Sequence, residues 1–137
     1  MVLKKRTTIL LFFFIAYIVA LLCQAVVSRS TLDSRIIETE FLRSYTDTGS
    51  ELFWDNVFNV LGFIPVGLML GLIVSRYRVV LAMLTGLFLS ETIECWQLIL
   101  QRGVFDVDDL FFNTGGALIG GLIVAIFAFI KRLKSRK

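Results

Sequence analysis

Residues 79–100 read VVLAMLTGLFLSETIECWQLIL. As a helix rising 1.5 Å per residue, this run covers about 33 Å, enough to cross a ~30 Å hydrocarbon core. Two acids, Glu91 and Glu94, interrupt it. A charged side chain at the centre of a spanning helix costs roughly 2.5–3.5 kcal/mol on insertion scales, so such a residue is expected to be paired or used.

Three more apolar runs flank this one, at residues 8–27, 57–74 and 110–129. The 137-residue chain is 57% hydrophobic, has one proline and has a mean hydropathy of +0.82. Soluble domains average about 45–50% apolar residues, so the composition alone indicates a membrane protein. With most of the chain committed to spans, the expectation is a single all-α membrane domain over residues 1–137, with four transmembrane helices. The turn at residues 75–78 makes spans two and three an antiparallel hairpin, and residues 101–109 do the same for spans three and four.

Basic residues set the expected orientation. Lys4, Lys5 and Arg6 precede the first span, and Arg76 and Arg78 join the second to the third. Lys131, Arg132, Lys134, Arg136 and Lys137 follow the fourth. Only Arg29, Arg35, Arg43 and Arg102 lie on the other side. The positive-inside rule places both termini in the cytoplasm. The C-terminal basic cluster reads as an anchor at an anionic leaflet, not a nucleic-acid patch. The first run has the basic start of a signal peptide, but its length and weak cleavage site favour a retained anchor. Cys23 and Cys95 fall inside spans and read as two buried thiols rather than a disulfide framework. The absence of histidine excludes a His-dependent triad or a zinc enzyme of the usual kind.

The long connection at residues 28–56 leaves two readings open. Leu32, Ile36, Ile37, Phe41 and Tyr45 recur at near-helical spacing, which suggests a short amphipathic helix on the membrane surface; the alternative is an irregular loop. Phe53, Trp54 and Trp96 stand where an interfacial aromatic belt belongs.

At 100° per residue, Ser90, Glu94, Gln97 and Gln101 fall within an arc of about 60°. Glu91 lies about 60° off that face. If the fourth helix starts a turn early, Asp106, Asp109, Asn113, Gly116 and Gly120 share an arc of about 80°. Asn59, Phe63 and Gly67 line up on the second helix. Asn59, Glu94, Gln97 and Asn113 also share a depth, within ~10 Å of the outer boundary. Together they predict an outward-facing polar recess built by three helices. Arg102 is expected to pair with Asp106 or Glu94. Gly67/Gly71 and Gly116/Gly120 are GxxxG pairs suited to close helix approach, and Pro65 should kink the second span and free carbonyls near Leu61.

These residues resemble the VanZ-like family of small bacterial membrane proteins. Asn59-Val60-Leu61-Gly62-Phe63-Ile64-Pro65-Val66-Gly67 resembles that family's asparagine–Phe-Ile-Pro–glycine motif. Ser90-Glu91-Thr92-Ile93-Glu94-Cys95-Trp96-Gln97 resembles its Ser-x-x-(Ile/Phe)-Glu-x-x-Gln motif. Arg102 through Asp106, Asp109-Leu110 and Asn113-Thr114-Gly115 match its Asp-x-x-Asp-x-x-x-Asn-Thr-x-Gly run and frequently preceding arginine. The motifs cover roughly residues 55–121; Glu91 and Asp108 lie outside the pattern. The resemblance implies a bacterial cell-envelope protein, and the family's namesake is linked to glycopeptide (teicoplanin) resistance. It supplies no chemical mechanism.

The leading expectation is a binding module. Asn59, Glu94, Gln97, Arg102, Asp106, Asp109 and Asn113 would hold a polar or lipid-linked headgroup, with Phe63, Pro65, Gly67, Ser90, Thr114, Gly116 and Gly120 in structural roles. Its partners are the lipid bilayer and a lipid-linked cell-wall precursor or acylated glycopeptide; no nucleic acid, cofactor or metal is called for, and a homo-oligomer stays open. The alternatives are a membrane-surface enzyme acting on a phospholipid or polyprenyl-phosphate, or a small carrier or scaffold. For an enzyme, no catalytic residue is identified beyond the weak nucleophile candidates Ser90 and Thr114.

Overall fold

The computed structural model describes residues 5–27, 29–42 and 50–136. Helix α1 spans Lys5–Leu22 and continues through a π-turn, Cys23–Val27. It is followed by α2 at Ser50–Ile73, α3 at Arg78–Leu100 and α4 at Val107–Lys134. Two short strands, β1 (Ile37–Glu38) and β2 (Phe105–Asp106), pair in parallel. Among the described residues, four helical segments are long and apolar enough to cross a membrane: Lys5–Val27, Phe53–Ile73, Arg78–Leu100 and Val107–Lys134. The fold is an all-α, multi-pass membrane architecture. Phe12, Phe88 and Phe127 are each more than two-thirds exposed on its flanks. A surface this apolar suits contact with hydrocarbon. Cys23 and Cys95, which form no disulfide, are also exposed. They were expected to be buried, but a cysteine inside a span meets lipid when its face does not meet another helix.

Helices α2, α3 and α4 form the core, and α2 meets α4 backbone to backbone. A Cβ placed on Gly67 would strike the Ala117 carbonyl, one on Gly116 the Val60 carbonyl, and one on Gly120 the Ile64 carbonyl. Without a hydrophobic force between helices in lipid, this close approach supplies the van der Waals contact that holds them. Gly71 is more loosely placed, against the Val124 side chain. Buried Phe63, Val66, Leu89, Ile93 and Ala117 join Val26 in one apolar cluster.

Helix α1 buries no residue of its own and packs onto that cluster through partly buried Tyr17, Ile18, Leu21 and Leu22. Pro65 lies inside α2 without ending it. Its missing N–H leaves the Leu61 carbonyl without its helical donor. The neighbouring Gly62 carbonyl accepts the Tyr17 hydroxyl at 2.8 Å and ties α1 to α2.

The connection after α1 decides between its two readings in favour of the irregular loop. Leu32 and Ile36 lie in irregular backbone, Ile37 in β1 and Phe41 in a turn, none of them in an amphipathic helix; Tyr45 falls outside the described residues. Leu32 N–H donates to the Gln101 carbonyl at 2.7 Å, and Phe105 N–H donates to the Ile36 carbonyl at 3.0 Å. Leu42 N–H donates to Asp108 Oδ1 at 2.6 Å. The α3–α4 connection offers open backbone groups, and pairing with them satisfies the loop without helical bonds. Phe41 stacks edge-on against Phe111, with ring centroids 5.3 Å apart.

That α3–α4 connection is tightly specified. Gln101 ends α3 in a left-handed conformation, and Gly103 has φ +133°, which side-chain-bearing residues rarely adopt. Asp106 then caps α4, its side chain accepting from Asp108 N–H at 2.8 Å. Asp108 and Asp109 occupy the first turn, where the helix dipole favours acids. The fourth helix therefore starts before its apolar run does.

Candidate functional site

The polar faces of α2, α3 and α4 converge at the end of the bundle that carries the α3–α4 connection. Glu94 is fully buried, and its Oε2 accepts the Asp106 backbone N–H at 2.9 Å. The Glu94 and Asp109 carboxyl groups lie within hydrogen-bond reach of each other. Asn59 Nδ2 donates to Asp109 Oδ1 at 2.6 Å. Asn113 Nδ2 donates to Ser90 Oγ at 2.9 Å, and that hydroxyl donates to the Asp109 carbonyl at 3.3 Å. Gln97 Nε2 reaches across to the Ala25 carbonyl at 2.9 Å and fastens the end of α1. Four of the seven residues expected to form the recess, Asn59, Glu94, Asp109 and Asn113, thus meet in one network, while Gln97 lines the same cavity and bonds to α1 instead.

The network leaves acceptors over. Among the described residues, Glu94 Oε1, Gln97 Oε1, Asn113 Oδ1 and Thr114 Oγ1 are buried and have no protein partner. The donors of Gln97 and Asn113 are already engaged, so the atoms left over on both amides are carbonyl oxygens. Buried acceptors without donors are unfavourable unless water or a ligand supplies them.

Two cavities adjoin here. One, of about 490 Å³, is lined by Glu94, Gln97, Asp109 and Asn113 and runs past Tyr17, Leu21 and Phe63 between α1 and α2. The other, of about 340 Å³, is lined by Glu38, Asp55, Asp106 and Asp108. Arg29, Phe58, Asn59 and Asp109 line both. Gly62 lines the larger cavity, and a Cβ placed on it would meet no atom within 4 Å.

The model of the VanZ/LLP1 family matches residues 7–128. The chain belongs to the VanZ/LLP1 family. No curated protein and no solved structure matches it. The match reaches beyond residues 55–121, which carry the recognisable motifs, and takes in α1 and the loop after it.

In this VanZ/LLP1 chain, two expected site residues are placed differently. Arg102 does not pair with Asp106 or Glu94. Its Nη1 donates to the Val27 carbonyl at 2.8 Å and approaches the Arg29 carbonyl at 3.5 Å. The carbonyls at the end of a helix lack intrahelical donors and attract cations, so Arg102 serves as a clasp on the end of α1. Asp106 sits not on the α4 arc but in extended backbone ahead of it, and it lines the second cavity.

The sequence reading did not single out Arg29, which is the basic residue lining both cavities. Its position directly after the first span, facing an acid-rich end, was the available signal. Asp108, ranked low because it falls outside the family pattern, is buried and pins the preceding loop through Leu42. Glu91 is exposed on the flank of α3 and takes no part in the network. Among the described residues, no group of three acids or thiols converges at metal-ligating spacing.

Proposed function

We propose that this VanZ/LLP1 protein binds the polar headgroup of an amphiphile at the outer face of the bacterial cytoplasmic membrane, with the acyl chain against α1 and α2. The observation that carries the reading is the pair of cavities meeting at Arg29, Phe58, Asn59 and Asp109. One is lined largely by acids and the other extends between apolar and aromatic side chains. That pairing suits a molecule with a hydrogen-bonding head and a hydrocarbon tail. The leftover acceptors on Glu94, Gln97 and Asn113 favour a head rich in N–H or O–H donors, with Arg29 available to an anionic substituent. Basic residues gathered at the opposite end support an outward-facing recess. Lipid-linked cell-wall precursors and acylated glycopeptides such as teicoplanin have this chemistry, which connects the site to the family's resistance link.

The test is lipid-linked precursor binding to the purified protein, with acyl-glycopeptide susceptibility of cells expressing it. Glu94→Gln and Asp109→Asn replace the carboxyl groups of the recess with amides. Gly62→Leu directs a side chain into the cavity from a position whose Cβ would meet no atom within 4 Å. Each is expected to lower binding at least tenfold while the protein still inserts. Wild-type binding in all three would refute the proposal.

A further inference from the structure

A third cavity, of about 320 Å³, lies at the opposite end of the bundle, between the start of α3 and the end of α4. Arg78 and Arg132 line it together with Ser75 and Tyr77, and Ala125 and Phe129 contribute apolar wall. We propose that this cavity holds the phosphate of an anionic membrane lipid.

The electrostatics favour an anionic partner from outside the chain. Every acid in the sequence lies within residues 33–55 or 91–109, so neither the first three turns of α3 nor α4 beyond residue 109 carries a carboxylate side chain. Arg78 is half-buried, and its Nε is held by the Val74 carbonyl at 2.9 Å. Among the described residues, no acceptor is recorded for its terminal nitrogens or for the guanidinium of Arg132. Two guanidinium groups therefore share one cavity without a counter-charge from the chain. A planar guanidinium presents paired N–H donors that match phosphate oxygens.

The geometry at α3 adds to this. Tyr77 precedes the helix in a left-handed conformation, φ 55°, that is unusual for a side-chain-bearing residue, and it offers no side-chain cap. The first-turn amides of α3 are left uncapped beside Arg78, at the end of the helix where the dipole is positive. The apolar wall then decides the kind of anion. Inorganic phosphate is solvated all round, whereas a lipid phosphate carries hydrocarbon that Ala125 and Phe129 can cover. Basic pockets between spanning helices bind lipid phosphates on the same physical grounds.

The full chain in nanodiscs of phosphatidylcholine with a minor fraction of phosphatidylglycerol provides the test, read as phosphatidylglycerol retained after detergent exchange by native mass spectrometry. Wild type is expected to retain one such lipid. Arg78→Gln and Arg132→Gln should each lower retention roughly fivefold, while Lys131→Gln and Lys134→Gln, which remove the same charge outside the cavity, should not. Ala125→Leu keeps both arginines and narrows the apolar wall, so it should lower lipid retention too. Equal losses in the lysine variants, or none in the arginine variants, would overturn the assignment. So would inorganic phosphate binding in pure phosphatidylcholine discs as tightly as the lipid does.

Discussion

Asn59 on α2 donates to Asp109 on α4 across 2.6 Å, near the close backbone contact between Gly116 and the Val60 carbonyl. The two helices are thus held by a polar bond beside the glycine packing. Asn59→Leu deprives Asp109 of a donor in a buried setting, which costs about 1–3 kcal/mol. Thermal unfolding in detergent should fall accordingly. Asn59→Gln keeps the amide and should recover part of the loss.

Gly116→Val and Gly120→Val each drive a side chain into the backbone of α2. Overpacking of this kind costs typically about 1–3 kcal/mol, and more where rigid backbone is struck. Both variants are expected to accumulate poorly in membranes. Gly115, with open space where its Cβ would stand, should accept alanine at wild-type abundance. Immunoblots of membrane fractions check the contrast.

Glu91 and Glu94 should diverge on substitution. Glu91 is exposed on the flank of α3, so Glu91→Leu removes an acid from a lipid-facing surface and should ease insertion by roughly 2.5–3.5 kcal/mol. Ligand binding should stay unchanged. Glu94→Leu strips the Asp106 amide of its acceptor and should both destabilise the protein and abolish binding. Insertion assays paired with binding measurements separate the two.

Arg29 and Arg102 should also separate. Arg102→Gln releases the end of α1 and should raise the rate of maleimide labelling at nearby Cys23, with binding reduced only modestly. Arg29→Gln should lower binding of an anionic ligand several-fold with little change in thermal stability. Comparable effects of both variants on both readouts would contradict the division of roles.

The spans, the antiparallel hairpins and the shared polar depth were all legible in the sequence because each rests on a local regularity. Hydrophobic run length gives a span, and a 100° rotation per residue places Ser90, Glu94 and Gln97 on one face. Arg102 was misread because its partner was chosen by charge, whereas it bonds to carbonyls brought near only when the end of α1 docks. The loop at residues 29–42 was left open between a surface helix and an irregular connection for a similar reason. Its spacing allowed a helix, but its hydrogen bonds go to the α3–α4 connection, some seventy residues away in the chain. Arg29 shows the same limit. Nothing local distinguishes it from Arg35; only the folded bundle sets it at the junction of two cavities.

The bond from Asp106 N–H to Glu94 bears on how the chain is made. Helix α3 has the lowest hydropathy of the four spans, 1.5, and its buried acid finds its donor only in residues synthesised afterwards. At the moment α3 leaves the ribosome, Glu94 has neither the Asp106 amide nor Asp109 beside it. Release of α3 into lipid alone would strand that carboxyl group, so α3 is expected to enter the bilayer together with α4. The expected pace of assembly is then set by the arrival of α4.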